Sequence, residues 1–269
     1  MALGMSDNLI KRIVSALLLL PIALYPIYAG GIWFWALLSL GGVLMALEWG
    51  ALTLPDTGKL IRLSLPFGAL FLLLSFIGSG LGGGEQSISG MGILFVAGCL
   101  FSKVRPVPGW WFAGIGYVTL PLIALSVLRE ASSILVLWVF LIVWATDVGG
   151  YFAGKGIGGP KLAPRISPKK TWAGLLGGMA LAALVSIGMA EVLGLHEYNW
   201  HFAAALAAWA QVGDLVESGI KRHFNVKDSG GLIPGHGGLL DRVDGLVFVA
   251  PAVALILYYM PLFGVELTG

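Results

Sequence analysis

Long apolar runs, each about as long as a bilayer crossing, alternate along the chain with short polar or glycine-rich segments. A crossing helix takes about 20 mostly apolar residues. Windows of that size predict nine spans, at 10–29, 31–53, 60–79, 88–102, 109–128, 132–153, 173–194, 200–222 and 242–262. The fourth is the shortest. The first follows Lys11 and Arg12 and has the look of a secretory signal. However, no small-x-small cleavage site follows it and further spans come at once, so it reads as the first transmembrane helix. No internal repeat is visible, which argues against a transporter built from inverted repeats. The expected fold is all-α: a polytopic transmembrane bundle of about nine spans.

Composition supports this reading. Of the 269 residues, 58% are hydrophobic and 11% charged, and the mean hydropathy is +0.90. A soluble domain has about 25% charged residues, so this chain cannot cover itself with polar groups and needs lipid as its solvent. Cys99 is the single cysteine, which excludes an internal disulfide and a thiolate zinc cage. The 40 glycines suit helices whose backbones approach closely in a membrane. They permit a homodimer without demanding one.

The formal net charge of +2 says little, but its distribution fixes an orientation. With nine spans, the N-terminus and the even-numbered loops share one side. Lys11, Arg12, Lys59, Arg62, Lys103, Arg105, Lys155, Lys161, Arg165, Lys169, Lys170, Lys221, Arg222, Lys227 and Arg242 all fall there, and Arg129 alone falls opposite. By the positive-inside rule that side, with the N-terminus, is cytoplasmic.

Two stretches on that face carry the chemistry. One runs from Trp144 to Trp172, the other from Gly213 to Asp244. Asp147, Asp214 and Glu217 lie within otherwise apolar helices, where an ionised carboxylate costs about 2.5–3.5 kcal/mol. They must face a polar cavity or bind something cationic. Asp214 and Glu217 are spaced i, i+3, and Asp241 and Asp244 repeat that spacing at the entry to the last span, so each pair shares a helix face. Asp147, Gly150, Tyr151 and Gly154 form one stripe of the sixth span. Ion pairing with Lys221, Arg222 and Arg242 is the plain structural alternative, but so many acids at one face of an acid-poor chain suit magnesium. That ion takes one or two protein carboxylates plus substrate phosphates. The basic run Lys155, Lys161, Arg165, Lys169 and Lys170 suits a polyanion, as well as anchoring to anionic headgroups. Gly154–Pro160 is not a phosphate-binding P-loop, because no Gly-Lys-Ser/Thr closes it. The glycines at 230, 231, 235, 237 and 238 can offer backbone N–H groups to phosphate oxygens, and His236 among them can donate to phosphate. Glu48, a lone acid in the second span, reads equally as a buried hydrogen-bonded group and as a functional one.

The second stretch resembles a known signature. Ser218-x-x-Lys221-Arg222, then Lys227-Asp228-Ser229-Gly230, Pro234-Gly235-His236-Gly237-Gly238 and Asp241-Arg242-x-Asp244 closely resemble the pattern of the phosphatidate cytidylyltransferase (CDP-diacylglycerol synthase) family. Trp144-x-x-Asp147 with Tyr151 and Gly154, Ser167-Pro168-Lys169-Lys170-Thr171-Trp172 and Gly213-Asp214-x-x-Glu217-Ser218 also look like that family, in the expected order. The resemblance covers roughly 140–250; the first 130 residues share only their hydrophobic spans. Ala173 departs from it, standing where the family often has a glutamate.

This resemblance implies a nucleotidyltransferase of phospholipid biosynthesis in the inner (plasma) membrane, multi-pass, with its active site facing the cytoplasm. It implies CTP and phosphatidate as substrates, CDP-diacylglycerol and pyrophosphate as products, and Mg2+ as cofactor, with room for a second cation. Membrane lipid is an expected partner; nucleic acid is not. The lipid phosphate is already anionic, so the chemistry needs charge neutralisation more than a strong base. The metal candidates are Asp214, Asp241, Asp244, Glu217 and Asp147. The catalytic set expected from the resemblance is Asp214, Asp241, Lys221 and Asp244. Substrate phosphates fall to Ser167, Lys169, Lys170, Lys221, Arg222, Lys227, His236 and Arg242, with Tyr151 also at the substrate. The expected organisation is spans 1–5 over residues 1–130 and a catalytic region over 131–269 with loops 154–172 and 223–241. Competing readings are a polyprenol- or phytol-type lipid kinase, a related CTP transferase for unsaturated ether lipids, and an ion-coupled transporter. The acid pattern of CDP-alcohol phosphotransferases is absent from the sequence.

Overall fold

Apolar periodicity and helix ends locate the elements closely. The computed structural model describes residues 20–57, 59–80, 109–193, 200–233 and 237–259. Its helices are α1 (Leu20–Ala29), α2 (Gly31–Thr53), α3 (Lys59–Gly80), α4 (Gly109–Ala131), α5 (Ser133–Gly156), α6 (Trp172–Leu193), α7 (Trp200–His223) and α8 (Leu240–Tyr259). Among the described residues, four segments are long and apolar enough to cross a membrane: Gly31–Thr53, Gly109–Ala131, Ser133–Gly156 and Trp172–Ala190. The chain is thus a helical membrane protein. The helices α7 and α8 carry Asp214, Glu217, Asp241 and Asp244, which lower their hydropathy. The predicted fourth span, Cys99 and His236 lie outside the described residues.

One element escaped the sequence reading. Within the expected loop 154–172, strands β1 (Lys161–Ala163) and β2 (Ser167–Thr171) pair antiparallel, Lys161 opposite Thr171 and Ala163 opposite Ser167. Two strands this short are marginal alone. Here β2 runs directly into α6, with Thr171 as the N-cap. Its hydroxyl accepts the Gly174 N–H at 3.0 Å, satisfying one of the orphan donors of the first turn.

The chain divides into two compact units. The first comprises residues 1–126 together with 228–241, the glycine-rich segment between α7 and α8. Here α2 packs on α3. Phe34, Leu38, Met45 and Trp49 recur at helical spacing and are buried, while Ile32, Trp33, Leu40 and Leu47 on other faces are exposed, as hydrocarbon permits. The Trp49 indole donates to the Trp110 carbonyl at 2.8 Å and stacks on Tyr117. Indole N–H groups need such partners when buried.

The second unit comprises residues 127–227 and 242–269. Ser132 caps α5 by accepting the Ile134 N–H. Glycines set the helix contacts: a Cβ at Gly149 would lie 2.5 Å from the Gly177 carbonyl oxygen, and one at Gly178 would lie 2.8 Å from the Thr146 oxygen. The α5 and α6 backbones therefore touch, in the manner of small-residue packing in membranes. Gly213 plays the same part between α7 and α8, where a Cβ would meet the Asp244 carbonyl oxygen at 2.6 Å.

Candidate active site

The close α5–α6 contact leaves a cavity of about 330 Å³ beside it, within the second unit. The end of α5 contributes Asp147, Gly150, Tyr151, Gly154 and Lys155; β2 contributes Lys169, Lys170 and Thr171; α7 contributes Gln211 and Asp214. The stripe predicted on the sixth span, from Asp147 to Gly154, does line one wall. Because β2 ends in the cap of α6, Lys169 and Lys170 are held at the cavity rather than on a free loop.

Opposite charges meet inside it. The Lys170 ammonium is paired with the Asp214 carboxylate, and neither side chain is more than about a quarter exposed (16% and 27%). The Ser218 hydroxyl donates to the other Asp214 oxygen at 3.3 Å, one turn further along α7. Lys221 reaches back one turn to Glu217 at 3.2 Å, and Glu217 is buried. This i, i+4 pair lets a carboxylate sit inside a membrane protein, where an unpaired one would be costly. The Asp244 carboxyl lies within electrostatic reach of Asp214, Glu217 and Asp147, and accepts the Gly245 N–H at 2.7 Å. Asp147 in turn feels Asp214, Lys170 and Arg242. Four of the five predicted metal ligands thus share one electrostatic neighbourhood of the second unit.

The remaining predicted residues are placed differently. Arg222 donates to the Val226 carbonyl at 3.3 Å and to the Ile166 carbonyl at 3.5 Å, tying the end of α7 to the hairpin. Ser167 opens β2, half-buried, opposite Ala163. Lys227 and Arg242 are exposed. Asp241 belongs to the first unit, where its Oδ2 accepts the Ser229 N–H, the Ser229 hydroxyl and the Gly238 N–H at 2.9, 3.0 and 2.9 Å. That oxygen anchors the glycine-rich segment. Sequence reasoning missed Thr171 and Gln211 as cavity residues. A threonine immediately before an apolar run is a helix-start signal and marked Thr171; nothing in the pattern marked Gln211.

The donor set suits a hard divalent cation. It is made of carboxylate oxygens, and Asp147 and Asp214 are the two that line the cavity. Magnesium usually takes about one or two carboxylates from protein and the rest of its shell from phosphates and water. Among the described residues no three acidic, histidine or cysteine side chains are gathered to hold an ion by themselves.

Comparison with known proteins identifies the family. The model of the cytidylyltransferase family matches residues 10–260. A phosphatidate cytidylyltransferase of Brucella suis biovar 1 (strain 1330) is 39% identical over 267 residues, covering 96% of this chain and 94% of its own. One from Staphylococcus epidermidis (strain ATCC 35984) is 36% identical over 227 residues, covering 82% and 80%. One from Staphylococcus aureus (strain COL) is 46% identical over 125 residues, covering 45% and 48%. The similarity thus reaches into the N-terminal helices that the signature leaves out, and the chain belongs to the cytidylyltransferase family.

Proposed function

We propose that this enzyme transfers CMP from CTP to phosphatidate, giving CDP-diacylglycerol and pyrophosphate. A phosphatidate oxygen attacks the α-phosphorus of CTP, a new P–O bond forms, and the bond to the β-phosphate oxygen breaks as pyrophosphate leaves. The observation that carries this reading is the cavity in which Lys170 pairs with Asp214 beside Lys169 and Asp147. It offers carboxylates for a metal and ammonium groups for phosphates in one place.

Both reactants are anions, so the barrier is largely electrostatic. Asp214 and Asp147 would hold magnesium, which when bound neutralises the triphosphate and the departing pyrophosphate. Asp244 and Glu217 stand within electrostatic reach of this pair and would add to its hold on a bound cation. With Asp214 holding the metal, Lys170 would be released to a phosphate oxygen, and Lys169 would contribute the second cation. Tyr151, 60% exposed and in the cavity wall, gives the nucleotide an aromatic surface. Asp241, Lys221, Arg222, Lys227 and Arg242 retain the roles that the family signature implies.

Phosphatidate is confined to the bilayer and CTP to water. We therefore place the site at the cytoplasmic face of the inner membrane, with about nine spans and a cytoplasmic N-terminus, the arrangement that gathers 15 of the 16 basic residues on one side. Purified full-length protein in detergent, given labelled CTP, phosphatidate and magnesium, is expected to yield a lipid-soluble cytidine product and pyrophosphate in equal amounts. Folded protein that yields neither rules the function out.

A further inference from the structure

Glu48 is an acid with no part in the chemistry above, yet its buried carboxylate is well satisfied. It lies in the second-last turn of α2 and is 8% exposed. Its Oε1 accepts the Leu239 N–H at 2.8 Å and its Oε2 accepts the Leu240 N–H at 2.9 Å. These are orphan donors at the start of α8, so α2 supplies from across the fold the anion that an N-cap side chain would supply locally. The Ser229 hydroxyl also approaches Glu48 Oε2, at 3.4 Å, while lying 3.0 Å from Asp241 Oδ2. One hydroxyl has one proton to give, so Ser229 is shared between the two carboxylates and lies nearer Asp241.

Two glycines make room for this arrangement. A Cβ at Gly230 would stand 3.0 Å from Glu48 Oε1, and one at Gly238 would stand 2.7 Å from Glu48 Oε2. Glu48 and Asp241 therefore grip the same segment from two directions: Asp241 holds the Ser229 and Gly238 amides, and Glu48 holds the next two amides. The segment groups with the N-terminal helices rather than with the helices flanking it in sequence.

We infer that Glu48 is a positioning residue for the transfer reaction: it fixes the 228–241 segment, and with it Asp241. This rests on the proposed function, since the effect on turnover presupposes the reaction. Glu48 touches no reacting atom in this account.

The test is Glu48→Gln in the purified full-length protein, read by hydrogen exchange and by kinetics. Glutamine keeps the shape but faces one backbone N–H with an NH2 donor. Amide exchange in the peptide spanning 237–241 is expected to rise by about tenfold, with α5 and α6 unchanged, because local opening is set by local contacts. The kcat is expected to fall by about tenfold with KM for CTP within about twofold, the pattern of lost alignment rather than lost binding. Unchanged exchange, or unchanged kcat, overturns the inference. A kcat loss accompanied by faster exchange throughout the protein also overturns it, because Glu48 would then only stabilise the fold. If Glu48→Gln does not fold, Ser229→Ala decides: it removes the shared hydroxyl and is expected to raise 228–241 exchange and lower kcat by about threefold, and wild-type values in both refute the clamp. Inactive wild-type protein sinks the proposed function instead, whereas the exchange result bears on the clamp alone.

Discussion

Thr171 joins the hairpin to α6, and its replacement tests whether that junction holds the lysines in place. Its hydroxyl caps the helix through the Gly174 N–H, and the residue is 4% exposed. Removing an N-cap hydroxyl costs about 1 kcal/mol, and removing one buried methyl costs about 0.8 kcal/mol. Thr171→Ala loses both and should cost about 2 kcal/mol, while Thr171→Ser keeps the oxygen and should cost about 1 kcal/mol. For a chain of this size each kcal/mol moves the unfolding midpoint by about 2–4 °C. Thermal unfolding in detergent should therefore place the serine variant midway between wild type and the alanine variant. Turnover adds a second reading. Lys169 and Lys170 immediately precede the cap and line the cavity, so alanine should lower kcat by about tenfold while serine stays within about twofold of wild type. A serine variant as impaired as the alanine variant would refute the capping argument, since the hydroxyl would then contribute nothing.

Four further substitutions probe other parts of the site. Asp214→Asn should lower kcat by about a hundredfold or more at saturating substrate while the protein stays folded, and near-normal turnover removes Asp214 from the metal site. Lys170→Met should lower kcat/KM for CTP by about tenfold, measured as initial rates over a CTP series; an unchanged value means the ion pair with Asp214 is structural only. Gly149→Ala puts a methyl against the Gly177 carbonyl and should destabilise by about 1–3 kcal/mol, seen as a lower midpoint of thermal unfolding; a wild-type midpoint contradicts the close α5–α6 contact. Asp241→Asn keeps one oxygen for the Ser229 and Gly238 amides. Turnover should therefore be lost while hydrogen exchange at 237–241 stays at wild-type rates, and retained turnover shows that the charge of Asp241 is not needed.

Much of the architecture was legible along the chain because lipid imposes it. A crossing helix must satisfy its backbone internally and show apolar side chains outward, so runs such as Gly31–Thr53 and Ser133–Gly156 announce their own lengths within a few residues. The same economy made Asp147, Asp214 and Glu217 conspicuous, since a carboxylate in an apolar helix needs a reason. Lys169 and Lys170, which line the cavity, were legible as candidates through their motif.

Tertiary structure decided which of these groups meet. Spacing along a helix puts Asp214 and Glu217 on one face with Lys221 four residues beyond Glu217, but cannot tell that Lys170, from a hairpin the hydrophobic pattern does not reveal, pairs with Asp214. Strands of three and five residues carry too little periodicity to be read. Glu48 shows the limit most plainly. Its partners lie 181 to 192 residues away, and no local pattern encodes a helix whose first amides are capped from another helix. The sequence by itself determined the apolar helices, the residue types of the chemistry and the family resemblance, because those follow from solvent and local spacing. The fold alone determined that Lys170 meets Asp214 and that Glu48 meets the Leu239 and Leu240 amides, because those partners come from segments far apart in the chain.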